Sequence, residues 1–175
     1  ETVIILSPSH REYFDGVCIF NGEGYATPLG TVFVNKEIKQ KLSQNSKIIF
    51  EGIQGHRNEH AIEVHLPFLQ TIFNNFTIVP IVIGNQSTQN IYELANKLAE
   101  VYNEKTIIIA SSDLSHFYNK TDADKLDGII ENKINAFDYL GLQSELAQHK
   151  CEACGGGAIV ALMKTADILN RKKAK

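Results

Sequence analysis

Two apolar runs constrain this chain more than any other feature: Thr77–Ile83 (TIVPIVI) and Thr106–Ala110 (TIIIA). Each is short, rich in β-branched residues and bounded by turn residues, so each reads as a strand. Neither alternates polar with apolar, which suits strands covered on both faces, as in a parallel sheet flanked by helices. Val3–Leu6 reads as a third strand and Lys47–Phe50 as a fourth.

Helical patterns lie between these runs. Asn35 is placed to cap a helix over Lys36–Ser43, and Ser87 or Thr88 to cap one reaching Val101, in which Ile91, Leu94, Ala95 and Leu98 recur at three and four. Over Glu59–Asn74, Ile62, Leu66, Leu69 and Phe73 form one stripe that Pro67 should kink or interrupt. Thr121–Leu140 reads as one long amphipathic stretch and Gly156–Asn170 as a final helix. Val17–Val34, with Gly22, Gly24, Pro28 and Gly30, reads as an irregular loop holding at most short edge strands. Strands alternating with helices define an α/β fold with a mostly parallel central sheet flanked by helices.

Composition excludes several partner classes. The net charge of −3 gives no field that favours nucleic acid or acidic lipid, and Arg171, Lys172, Lys173 and Lys175 read as a solvated tail. No apolar run approaches the roughly 18 residues of a membrane span, and the start lacks the basic region of a signal peptide. Three cysteines do not make an even disulfide framework, so a cytoplasmic, reducing compartment is expected. The chain opens without Met, almost inside a strand, which is expected of a trimmed piece of a longer protein.

In open α/β sheets, ligands bind beyond the carboxyl ends of the strands. The first strand runs into Ser7-Pro8-Ser9-His10 and a later one into Ser111-Ser112-Asp113-Leu114-Ser115-His116, so both polar clusters should meet at one edge. Cys154 precedes Gly155-Gly156-Gly157 at the start of the last helix, where the helix dipole favours thiolate. Imidazole, thiolate and carboxylate at one rim suit a borderline metal. Each group also has an ordinary reading: a loop histidine bonded to backbone, a Ser/Asp cap, a buried inert thiol. In Glu59-His60-Ala61-Ile62-Glu63-Val64-His65, a helix would put Glu59, His60 and Glu63 on a shared face as an acid/base or supporting group. His60 and His65 would stand roughly 140° apart on it, unable to share one ion.

Taken together, these segments resemble the Memo-like family. Asn58–Gln70 (NEHAIEVHLPFLQ) followed by Thr77–Asn85 (TIVPIVIGN) is similar to its long signature. LSPSH at Leu6–His10, TPLG at Thr27–Gly30, SSDLSHF at Ser111–Phe117 and CGGG at Cys154–Gly157 occur in the family's order. The resemblance implies the fold of class III extradiol dioxygenases, which hold non-haem Fe(II) with two His and a Glu. In the Memo branch it implies two His and a Cys binding iron or copper. By motif matching His10 and Cys154 are the metal ligands, Asp113 and His116 line the pocket, and His116 and His60 are the candidate general bases. The family's other ligand His lies in an upstream PHAG-like segment that this sequence does not contain. Strands that follow the last helix in the family are missing too, so residues 1–175 are expected to be one Memo-like domain without its flanks. Prokaryotic members of the AmmeMemoRadiSam protein B type imply a radical-SAM partner protein. Two other functions remain open: a non-catalytic module that uses the pocket to bind a peptide or a partner protein, and thiol redox chemistry at Cys151 and Cys154; a small molecule or peptide is the expected ligand.

Overall fold

A computed structural model describes residues 1–174; Lys175, the last residue of the expected basic tail, lies outside them. The main sheet has five strands in the order β5-β2-β6-β1-β7: β1 (Thr2–Pro8), β2 (Val17–Phe20), β5 (Ile49–Gly52), β6 (Thr77–Ile83) and β7 (Thr106–Ala110). β1 lies between β6 and β7 and is parallel to both, with Leu6 opposite Ile81 and Ala110. β2 joins β6 antiparallel and carries β5 parallel to itself. The sheet is therefore mostly parallel, as expected.

The unalternating apolar runs follow from burial on both faces. Ile4, Leu6, Val79, Ile81 and Ile83 face a layer that includes α1 (Lys36–Ser43), α3 (Thr88–Val101) and α6 (Gly156–Ile168). Val3, Ile5, Ile78 and Val82 face the opposite layer, built on Val32, Val34, Ile62, Leu66 and Leu69. Neighbouring residues thus point to different cores, as the two-residue period of a strand requires. Pro80 fits within β6 because it falls between the residues paired with β2 and the bridge from Val34 to Ile78. There its missing N–H forfeits no sheet bond.

Three expectations need correction. The Val17–Val34 stretch is more than a loop with edge strands. Its first four residues are β2, an interior strand with Val17, Cys18 and Ile19 fully buried, and the rest forms a hairpin of β3 (Gly24–Thr27) and β4 (Gly30–Phe33). Four-residue strands among glycines carry too little periodicity to be read as buried. The Glu59–Asn74 helix is shorter: residues 63–65 form a single 3-10 turn and α2 spans Leu66–Ile72, with Pro67 in its first turn, where no N–H is needed. Thr121–Leu140 is two helices, α4 (Lys120–Asn135) and α5 (Tyr139–Ala147). Phe137 takes a left-handed φ of 55°, and Asp138 caps α5 by accepting from the Gly141 N–H at 2.8 Å. The caps of α1 and α3 are Asn35 and Ser87, accepting from Ile38 and Asn90. Among the described residues no helix is long and apolar enough to cross a membrane.

Beside β2 lies a half-buried histidine that sets an acid limit on stability. His56 packs at a tilt against Phe20 and donates Nε2–H to the Cys18 carbonyl at 3.2 Å, while its Nδ1 faces the Tyr25 hydroxyl at 3.4 Å. Burial outweighs the bond to Cys18 and pushes its pKa from 6.5 down to about 4. The unfolded chain therefore takes up this proton first. His56 costs no stability above pH 6.5, then loses the fold about 2–3 kcal/mol as pH falls from there toward 4. Urea denaturation across that range should show this slope in the wild type and a flatter one in His56→Gln; parallel curves would refute the assignment.

Candidate functional site

The sheet brings the two polar clusters to one edge. β1 delivers Ser9 and His10, and the parallel β7 delivers Ser111 through His116, with the Ser111 N–H donating to the Leu6 carbonyl at 2.8 Å. The start of α6 closes the third side. A cleft of about 500 Å³ lies between them, and His10, Glu59, His60, Asp113, His116 and Cys154 all line it. All five side chains picked from the sequence as site residues therefore share one cavity.

His10 is held on one side only. Glu59, whose side chain is 4% exposed, accepts from His10 Nδ1 at 3.0 Å through Oε1 and from the His10 backbone N–H at 2.7 Å through Oε2. Its Oε1 also accepts the backbone N–H groups of His60 and Ala61 at 2.9 and 3.1 Å. Burial works to raise the Glu59 pKa, but the bonds from His10 and Ala61 outweigh it and hold the carboxyl below its ordinary value. An ionised Glu59 can only accept, so the His10 ring carries its proton on Nδ1 and keeps a lone pair on Nε2. This is the carboxylate–histidine arrangement that orients a metal-binding imidazole.

Cys154 is held by backbone. Its Sγ accepts the Asp113 N–H at 3.1 Å, and its own N–H donates to the Asp113 carbonyl at 3.2 Å. Ser112 Oγ stands 3.9 Å from the same sulfur and accepts the Gly155 N–H at 2.9 Å. Gln86, from the loop after β6, accepts the Gly157 N–H at 2.6 Å and donates to the Cys154 carbonyl at 2.9 Å. The glycines allow this contact: a Cβ on Gly155 would stand 2.1 Å from the Ser111 carbonyl oxygen.

The remaining groups are exposed pairs. His116 Nε2 lies 3.4 Å from Asp113 Oδ2, and His60 Nδ1 lies 2.8 Å from Glu63 Oε1. His60 and Glu63 meet as expected, although through a turn rather than along a helix. His65 points elsewhere: its Nε2 meets Ser111 Oγ at 3.0 Å, and burial holds its pKa below the ordinary value against a bond to the Ala61 backbone. Gln86 is a supporting residue that no sequence motif marked, and His65, inside the family signature, had no site role read for it. Cys18, Cys151 and Cys154 are all free thiols.

The donor types at this cleft fit iron or copper, but the donor count does not. A mononuclear site with open positions takes about three protein ligands. Among the described residues no group of three His, Cys, Asp or Glu side chains has the spacing to hold a metal ion. The matched residues His10 and Cys154 amount to two.

The fold and the cleft define an α/β domain with an imidazole- and thiol-lined pocket at the carboxyl edge of its sheet. The sequence model of Memo-like protein matches residues 1–175, and the chain belongs to that family. It is 37% identical over 166 residues to a MEMO1 family protein of Methanobrevibacter smithii, covering 93% of this chain and 59% of the relative. A MEMO1 family protein of Thermoplasma volcanium is 34% identical, covering 97% of this chain and 63% of the relative. One of Methanocaldococcus jannaschii is 33% identical, with 99% and 63% covered. The chain thus spans roughly three fifths of the length of these curated relatives. The architecture is consistent with the extradiol dioxygenase-like fold that the resemblance implies.

Proposed function

We propose that the cleft binds an iron or copper ion through His10 Nε2 and Cys154 Sγ, with the third position filled by a donor beyond the described side chains. The observation that supports this most is the buried Glu59 beneath His10, which fixes the proton on Nδ1 and leaves Nε2 as the open lone pair. A bound ion would supply a Lewis-acid and redox centre. The chain's own contribution at the opposite wall is a proton carrier: His116, beside Asp113, exchanges protons with a molecule in the cleft, and His60 with Glu63 does so at the rim. A thiolate in place of a carboxylate keeps the formal charge but is a softer, oxidisable ligand, so ring cleavage is not part of this reading.

The short donor count favours one other reading, a module that binds a peptide or partner protein at the same cleft without catalysis. Elemental mass spectrometry separates the two. Protein loaded without oxygen with Fe(II) or Cu(I) and desalted should retain metal, His10→Ala and Cys154→Ala should lose it, and Cys151→Ala should keep it. Wild-type protein that takes up neither ion would eliminate the metal site and leave the binding module.

A further inference from the structure

A second cavity, of about 590 Å³, shares His116 and Cys154 with the cleft and extends from them toward α3 and α5. Its volume falls in the range of small-molecule sites, roughly 300–1,000 Å³. Ile91, Leu114 and Leu146 supply an apolar wall. The two glutamines in its lining are already engaged. Gln143 accepts from the Tyr92 hydroxyl and donates to Thr88 Oγ1, and Gln86 is spent on Gly157 and Cys154. Among the described residues no Lys or Arg lines the chamber, Glu152 is the sole carboxylate there, and His116 and His149 are its imidazoles. One Glu152 oxygen accepts from the Tyr118 hydroxyl at 2.5 Å, which anchors the carboxylate at the wall.

An apolar wall, spent amides and one fixed negative charge select against anions and offer little to polyols or sugars. We infer that this chamber binds an organic cation: an ammonium at Glu152 on an apolar body lying against Leu146, Leu114 and Ile91. His116 and Cys154 line both the chamber and the cleft, so the two spaces meet there. The inference rests on the proposed function only for what happens at that meeting point. Binding itself requires no metal, so the two proposals fail separately.

The test uses metal-free protein and three matched probes: phenethylamine, phenethyl alcohol and hydrocinnamate. Methyl NMR spectra follow Ile91 and Leu146 as each is titrated at neutral pH. Phenethylamine should shift those methyls to saturation, the alcohol should bind more weakly, and hydrocinnamate about tenfold more weakly than the amine, because repulsion replaces attraction. Glu152→Gln should bring the three within about twofold of one another. Ala147→Trp, at the exposed wall of the chamber, should abolish all binding while methyls elsewhere stay in place. Equal affinity for the three probes, an unchanged order in Glu152→Gln, or binding that survives Ala147→Trp would each overturn the inference.

Discussion

Glu59→Ala is expected to cost about 4 kcal/mol of stability and to release His10 from its fixed tautomer. Four N–H groups converge on this carboxylate: three from the backbone of His10, His60 and Ala61, and one from the His10 ring. Truncation leaves them facing a void, and a buried donor without a partner costs about 1–3 kcal/mol. The imidazole is 44% exposed and recovers water, so most of the loss comes from the backbone groups. Glu59→Gln separates stability from orientation. It keeps one acceptor oxygen and the shape, so it should cost only about 1–2 kcal/mol, yet its amide can either accept from or donate to His10 Nδ1 and no longer fixes a proton there. Nitrogen NMR of the His10 ring should show one tautomer, protonated at Nδ1, in the wild type and a mixture in Glu59→Gln. A mixture already present in the wild type would defeat the assignment of Glu59 as the orienting group. On the proposed function, metal affinity should fall about 10–100-fold in Glu59→Gln.

The same carboxylate has a pH signature of its own. Its folded pKa lies below the ordinary 4.5, so the unfolded chain binds this proton first as pH falls. The contribution is whole above about pH 4.5 and disappears as pH drops through the folded value. That window lies below most of the His56 window, and the two can be told apart: Glu59→Gln flattens the lower limb of the stability curve, and His56→Gln the upper one.

What sequence could and could not convey follows from the range of each interaction. β1, β6 and β7 were legible because burial on both faces leaves an unbroken apolar run. His10, Asp113 and His116 were legible because the carboxyl-edge rule turns strand ends into a map of the site, and Cys154 because it stands at a helix start in a segment the family shares. β2 was not, since four residues cannot show a period, and its place inside the sheet depends on pairing with β5 and β6 far along the chain. The segment at 59–65 fits a helical template, but Pro67 pushes the helix start to Leu66. The freed turn lets Glu59 fold back onto a residue 49 positions away. The engagement of Cys154 by Asp113 and of Gly157 by Gln86 is likewise long-range; Asp113 acts there through its backbone N–H, which residue type does not announce, and Gln86 stands in no marked motif.

Gly155→Val is expected to destabilise the fold by about 4 kcal/mol and to disable the thiol wall of the cleft. A Cβ at this position would sit 2.1 Å from the Ser111 carbonyl oxygen and 2.8 Å from Ser112 Cβ. The first is backbone at the end of β7, tied to β1 by the Ser111 N–H bond to Leu6, so it cannot turn aside as a side chain would. Overpacking commonly costs about 1–3 kcal/mol and more against rigid neighbours, and valine adds two methyls to the same gap. The strain has one outlet, separation of the 111–116 loop from the start of α6. That movement breaks the Asp113 N–H bond to Cys154 Sγ and the Gly155 N–H bond to Ser112 Oγ together. A thiol no longer held by backbone should react faster with a thiol reagent than in the wild type. Gly128→Ala is the control, because no heavy atom lies within contact of a Cβ there and alanine favours a helix interior. It should leave stability equal or raised and the Cys154 reaction rate unchanged. If Gly155→Val melts with the wild type and its thiol reacts at the same rate, the two loops are not clamped by this contact, and the position of Cys154 must be set by α6 alone.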